Sequence, residues 1–400
     1  MLYVMNVIKK SEILDKILKS EYDENAIFDA LGSLVSFSID HGIDGNLYKK
    51  YILYTLIYNE NSYSLSIELN QKTIGESNII RKDYMTYYSL YNKEFAFLNE
   101  TKSFNFKKLN DNPITKVLEE LYEKIERNNT LDNFIDAIES FYKNYGVADM
   151  AIYKAFRVSN GLLKPIKNLL DVSFDDLIGY DMQKKLLCDN IEAFLNGKTY
   201  NNILLYGDAG TGKSTSVKAL INKYFTQSLR IIEVYKYQMK EISKIINKLK
   251  NRPYHYVIYM DDLSFEESES DYKYLKSIIE GGIEPKPNNV LVLATSNRRH
   301  LIKETTSDNG DAFSDLHRVE TQSEKLSLSY RFGLQIYYSS LTPLEFKDMV
   351  LKMAVKNNIN MDEKKLLIEA NAWQMRNGTL SGRCASQFIN HLKQDYNNDN

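Results

Sequence analysis

Residues Gly207-Asp208-Ala209-Gly210-Thr211-Gly212-Lys213-Ser214 spell G-x-x-x-x-G-K-[ST], and the segments on either side restrict the fold around them. Asn202 to Tyr206 (NILLY) reads as a buried strand, and Ser214 to Phe225 has helical periodicity with no Gly or Pro. A strand that turns through glycines directly into a helix commits the chain to an α/β sheet with this turn at a strand's carboxyl end. The glycines let successive N–H groups point inward, and the helix adds its positive N-terminal end, so the turn is suited to phosphate. Lys213 would reach the β- and γ-phosphates of a nucleotide and Ser214 would ligate Mg²⁺. Gly207 to Ser214, with Thr215 just beyond, are therefore the expected ATP contacts. At ordinary residue frequencies the four fixed positions arise by chance in roughly one chain of this length in a hundred.

After this turn, apolar strands alternate with helical stretches: Leu229 to Tyr235, Met239 to Leu249, Tyr256 to Met260, Tyr272 to Glu280 and Val290 to Thr295. The alternation predicts a parallel sheet. The strand Tyr256 to Met260 ends in Asp261-Asp262. An acid at that point can hold Mg²⁺ through its waters, and an adjacent acid can orient or deprotonate the attacking water; Asp261 takes the first role and Asp262 the second. Alone, two aspartates after a strand are an ordinary turn, and their placement after a phosphate loop gives them meaning. Val290 to Thr295 leads to Asn297, at the sheet edge where ligands of such folds bind, and its amide could hold the water or the γ-phosphate. Arg331 closes a short helix just before a last strand, Leu334 to Tyr338. It can either cap its own helix or be presented to the γ-phosphate of a neighbouring subunit.

Three helices are predicted at the C-terminus: Pro343 to Lys356, Asp362 to Met375 and Arg383 to Tyr396. Arg383 lies in the first turn of its helix, where a cation opposes the helix dipole unless an anion compensates. That mismatch marks it as a phosphate contact.

Taken in order, the phosphate loop, Asp261-Asp262, Asn297, Arg331 and Gly382-Arg383 resemble the AAA-plus ATPases. The closer resemblance is to a bacterial group, the domain-of-unknown-function 815 family of ATP-binding proteins. It rests on Asp261-Asp262-Leu263-Ser264-Phe265-Glu266, on Ala294 to Leu301 (ATSNRRHL), on Glu324 to Ser329 (EKLSLS) with Arg331 to Leu334 (RFGL), and on Ser381-Gly382-Arg383. It covers about Asp171 to Tyr396. The resemblance implies a P-loop sheet with its phosphate-loop strand central, a C-terminal helical lid, an adenine pocket near Ile178, Gly179 and Tyr180, and ATP held between core and lid. Two departures qualify it. The second acid is Asp262 where Glu is usual, so turnover is expected to be slow and water activation could fall to Glu266. Tyr235-Lys236-Tyr237-Gln238 also lacks the aromatic-apolar-Gly loop of members that thread polypeptides.

The rest of the chain supplies context. Its 400 residues suffice for several domains, and with 43% apolar residues it should be globular. The expected division is a mostly helical N-terminal domain at 1–165, a P-loop core at 171–340 and a lid at 341–400, with Gly161 to Pro165 as linker. The N-terminal part shows helical spacing at Ile27 to Ser38, Leu47 to Tyr58, Ile114 to Ile125 and Leu131 to Tyr145, while Ser62 to Glu68 alternates like a strand. No catalytic constellation is evident there. A net charge of −2, with no basic domain, disfavours a protein whose main work is neutralising DNA phosphates. Lys102, Lys107 and Lys108 with Phe104 and Phe106 read as a solvated loop. Cys188 and Cys384 lack metal or redox spacing, the first residues show no basic leader, and runs such as Tyr51 to Tyr58 fall short of a membrane span. A cytosolic ATPase is expected. Its macromolecular partner would be protein rather than nucleic acid, and a homo-oligomer is allowed. The alternative is a nucleotide-gated scaffold or loader of a nucleic-acid machine with little turnover. A small-molecule phosphotransferase is disfavoured by Arg331 and the lid, and an ABC transporter ATPase by the lack of an L-S-G-G-Q string.

Overall fold

In the computed structural model, the described residues are 11–19, 24–70, 78–103, 113–266, 269, 271–280, 286–299, 301–302 and 328–398. Phe104 to Lys108, His300 and Glu324 to Ser327 lie outside them. The chain forms two compact units: residues 1–153 with 251–253, and residues 154–250 with 254–400.

The first unit is helical. Helices at Glu24–His41, Leu47–Ile57, Asn78–Tyr91, Pro113–Glu126 and Leu131–Tyr145 enclose a core rich in tyrosine, with Tyr63, Tyr84, Tyr87, Tyr91 and Tyr142 fully buried. A buried phenol needs a partner for its hydroxyl. Tyr142 donates to the carbonyl of Leu56 at 2.9 Å and Tyr91 to Glu126 at 2.8 Å. Ser62–Glu68 is a helix rather than the expected strand. The Asn61 side chain accepts from the N–H groups of Tyr63 and Ser64, and Ser64 returns a bond to the Asn61 N–H. This capping box outweighs the local alternation.

The second unit contains a seven-stranded sheet. Its strands are β1 (Ala155–Ser159), β2 (Leu162–Pro165), β3 (Ile203–Gly207), β4 (Leu229–Glu233), β5 (His255–Met260), β6 (Val290–Ser296) and β7 (Leu334–Tyr338), in the order β2-β1-β4-β5-β6-β3-β7. All neighbours are parallel except β1 and β2. Gly161 to Pro165 is therefore not a linker. Asn160 and Gly161 both have positive φ, at 52° and 69°, and turn the chain into a tight hairpin that joins the sheet through β1 and β4. The phosphate-loop strand β3 is also not central. It lies second from one edge, between β6 and β7.

Alternate residues of the strands, Ile203, Leu205, Ile231, Val257, Tyr259, Leu291, Leu293, Ile336 and Tyr338, share one buried cluster. The helices Asp181–Leu195 and Lys213–Tyr224 contribute Leu187, Ile191, Phe194, Val217, Leu220 and Tyr224 to it. This period of two carries on past the strand ends, and so decides which polar side chains face the phosphate-loop helix. The three C-terminal helices, Pro343–Lys356, Glu363–Asn377 and Gly382–Asn398, form a separate small core around Phe346, Val350, Leu366, Phe388 and Ile389. Thr342, Pro343 and Glu345 start the first of them with a capping box and a proline at its first turn.

Candidate nucleotide site

β3 delivers Gly207 to the carboxyl edge of the sheet with φ +133°, and a Cβ there would lie 2.0 Å from the carbonyl oxygen of Tyr338. Glycine is required because the loop leaves the sheet in contact with β7. At the other end of the loop, Gly212 (φ +97°) precedes the helix, and a Cβ would strike Leu177 at 2.4 Å. The loop folds on itself as well, since the Thr211 hydroxyl donates to the Asp208 carbonyl at 2.8 Å.

Lys213 is only 7% exposed. Its amine donates to the carbonyls of Gly207 and Asp208, both at 2.7 Å, and to Asn297 Oδ1 at 3.1 Å. Burial lowers its pKa, against the opposing pull of Asp208, Asp262 and Asp261. An ammonium so placed gains from any added negative charge.

Asp261 stands just past β5. Its Oδ1 accepts from Ser214 Oγ at 2.7 Å, Tyr259 Oη at 2.6 Å and Thr295 Oγ1 at 2.6 Å. Desolvation by the cleft walls would raise its pKa, but the bonds from Thr295, Tyr259 and Ser214 outweigh it and hold the carboxyl below its ordinary range. Asp262 takes a left-handed backbone, φ +48°, a conformation enriched in Asp, which suits the short acid found here. Its N–H donates to Thr295 Oγ1 at 2.9 Å, and its carboxylate accepts from Asn297 Nδ2 at 2.7 Å. Asn297 therefore bridges Lys213 and Asp262 through the two ends of one amide.

The lid reaches the same place. The Arg383 N–H donates to the Gly210 carbonyl at 3.2 Å, while Ser340, between β7 and the first lid helix, donates from its backbone and hydroxyl to Asp208 Oδ2 at 3.0 and 2.6 Å. The Tyr180 hydroxyl donates to the Ser339 carbonyl at 2.9 Å, and burial raises its pKa to about 12. Lys356 forms an ion pair with Asp176. A cleft of roughly 600 Å³ results, within the roughly 300–1,000 Å³ usual for ligand sites.

Its walls include Ala209 to Thr215, Asp261, Asp262, Asn297, Ile178, Tyr180 and Arg383, all singled out from the sequence. Gly179 sits between two of them, its Cα facing Met349. Glu266 and Arg331 are not among the lining residues. The Glu266 N–H bonds to Glu269 at 3.0 Å, and Arg331 pairs with Glu280 of the helix Tyr272–Glu280. Sequence reading passed over Thr295, Tyr259, Ser340, Met349 and Met353. Thr295 and Tyr259 each precede a chosen residue by two positions, so strand periodicity could have pointed to them.

The Ser214 hydroxyl and Asp261 carboxylate are hard oxygen donors close together on a cleft wall, a pair that fits Mg²⁺ keeping most of its waters. Among the described residues no group of three His, Cys, Asp or Glu could hold a metal on its own. No helix of the described residues is long and apolar enough to cross a membrane.

Residues 149–396 match the family model described as Protein of unknown function (DUF815). The chain belongs to this family. Its mostly parallel sheet, the glycine turn after β3 and the three C-terminal helices make the second unit a P-loop type α/β core, and the unit that precedes it is mostly helical. A 52-residue stretch is 38% identical to the replication factor C large subunit of Methanococcus vannielii, covering 13% of this chain and 11% of that protein. The RuvB Holliday junction branch migration motor of Thermotoga maritima is similar at 16% identity and a TM-score of 0.33, over 56% of this chain and 72% of that one. Its T158V variant gives 16% identity and 0.35 over the same shares.

Proposed function

We propose that this member of the DUF815 family is a slow Mg²⁺-dependent ATPase that uses ATP to remodel or regulate a macromolecular partner. The observation that carries the reading is the hydrogen-bonded set Lys213, Asn297, Asp262, Thr295, Asp261 and Ser214 on one cleft wall. Gly207 to Thr215 would cradle the phosphates, with Lys213 on the β/γ oxygens. Ile178, Gly179, Tyr180 and Met349 would enclose the adenine, and Arg383 would meet the phosphates from the lid. Ser214 and Asp261 would hold Mg²⁺, which neutralises phosphate charge when bound.

Hydrolysis joins a water oxygen to the γ-phosphorus, breaks the bond to the ADP oxygen and leaves a proton to be taken up. Asp262, steadied by Asn297, orients that water and accepts the proton. Glu266 is the secondary candidate, for it is not among the cleft-lining residues. Arg331 would complete the γ-phosphate site of a neighbouring copy. The helical unit would act as adaptor, with a protein partner favoured over nucleic acid. Two free cysteines, 188 and 384, suit a reducing cytoplasm.

A second reading, a nucleotide-gated scaffold or loader on a nucleic-acid machine, draws on Asp262 being both short and already engaged by Asn297. Steady-state phosphate release, alone and with single-stranded DNA, separates the two. Turnover unchanged by DNA supports the remodelling ATPase; ATP binding without release supports the scaffold.

A further inference from the structure

We infer that Tyr259 and Thr295 are positioning residues for the Mg²⁺ site, an inference that rests on the ATPase reading above. Both reach Asp261 from the sheet face covered by the phosphate-loop helix. Tyr259 is two residues upstream on β5, and Thr295 is on the adjacent β6, where Met260 pairs with Ala294. Both are buried, at 8% and 1% exposure. Their hydroxyls and that of Ser214 converge on a single oxygen, Asp261 Oδ1, at 2.6, 2.6 and 2.7 Å.

The arrangement has a chemical consequence. A serine hydroxyl has one proton and two lone pairs. Because Ser214 commits its proton to Asp261, both lone pairs are left for a cation. That holds only while the carboxylate keeps one orientation, which the two buried hydroxyls fix from below. Thr295 does more: the same Oγ1 that donates to Asp261 accepts the N–H of Asp262, and its carbonyl accepts the N–H of Leu263 at 2.7 Å. One threonine thus sets the metal-holding acid and the left-handed backbone of the water-orienting acid. Tyr259 sets the first of these alone.

The two residues should separate in experiment. ATP binding is measured by calorimetry for the full chain, first in EDTA and then as Mg²⁺ is titrated, alongside kcat at saturating Mg²⁺. Tyr259→Phe and Thr295→Val should bind ATP in EDTA within about twofold of wild type, while the Mg²⁺ needed for half-maximal enhancement rises roughly tenfold. Thr295→Ser keeps the hydroxyl and should restore the wild-type titration. At saturating Mg²⁺, Tyr259→Phe should recover most of its kcat, and Thr295→Val should not. Wild-type Mg²⁺ titrations in both variants would overturn the proposal, as would a Thr295→Ser defect equal to that of valine. If Thr295→Val does not fold, Tyr259→Phe and Thr295→Ser still decide the matter. A wild-type chain that binds no ATP under either condition overturns the ATPase reading itself, a result distinct from the others.

Discussion

In the proposed ATPase, Lys213 and Asp262 divide binding from chemistry. The Lys213 amine sits where the carbonyls of Gly207 and Asp208 meet Asn297, so its loss removes the point charge at the proposed phosphate position. Lys213→Ala should weaken Mg-ATP binding at least tenfold, about 1.4 kcal/mol, by calorimetry. Unchanged affinity would displace the nucleotide from this loop. Asp262→Asn keeps the shape and the left-handed preference but loses the base. It should still bind ATP while steady-state turnover falls by roughly 10², with Glu266→Gln affecting turnover less. A larger loss at Glu266 would reverse the two assignments.

At the scale of elements, the lid is tied to the core by Lys356 at the end of its first helix. The Lys356 ammonium on Asp176, helped by the Ser173 N–H, lowers the Asp176 carboxyl to about 2. A carboxyl with a depressed folded pKa contributes stability that is complete above its unfolded value, about 3.9, and fades as pH falls towards 2. Both side chains are exposed by more than a third, so the contribution is under about 1 kcal/mol. Asp176→Asn should lower Tm slightly above about pH 4.5, with the gap closing on acidification; a gap that widens in acid contradicts the assignment. The elements themselves were unevenly legible. Strand, glycine turn and helix around Lys213 could be read directly because each is fixed by local chemistry. Ser62–Glu68 could not, since its helix depends on reciprocal bonds around Asn61. The 155–165 hairpin was obscured because Gly161 and Pro165 mark a turn and an edge strand as readily as a linker. Strand periodicity puts Tyr259 on the side of Asp261 and Thr295 on the side of Asn297, but the meeting of Thr295 with Asp261 depends on the register of β5 and β6, which a single sequence does not reveal.

For the whole molecule, the account turns on whether copies complete each other's sites. Arg331 pairs with Glu280 and does not line its own cleft. Head-to-tail contacts that present such an arginine to the next copy generate a ring or an open spiral. Arg331→Ala should bind ATP almost normally and hydrolyse it poorly, and mixing it with Lys213→Ala should restore some phosphate release. Wild-type turnover per subunit that stays constant on dilution, from a protein sedimenting as a monomer, would contradict a role in trans. The most direct test of the central claim is phosphate release from Mg-ATP by the full chain beside its Lys213→Ala and Asp262→Asn variants. The account predicts slow release by the wild type, background release by both variants, and retained ATP binding in Asp262→Asn alone of the two. Equal release from all three proteins would contradict it.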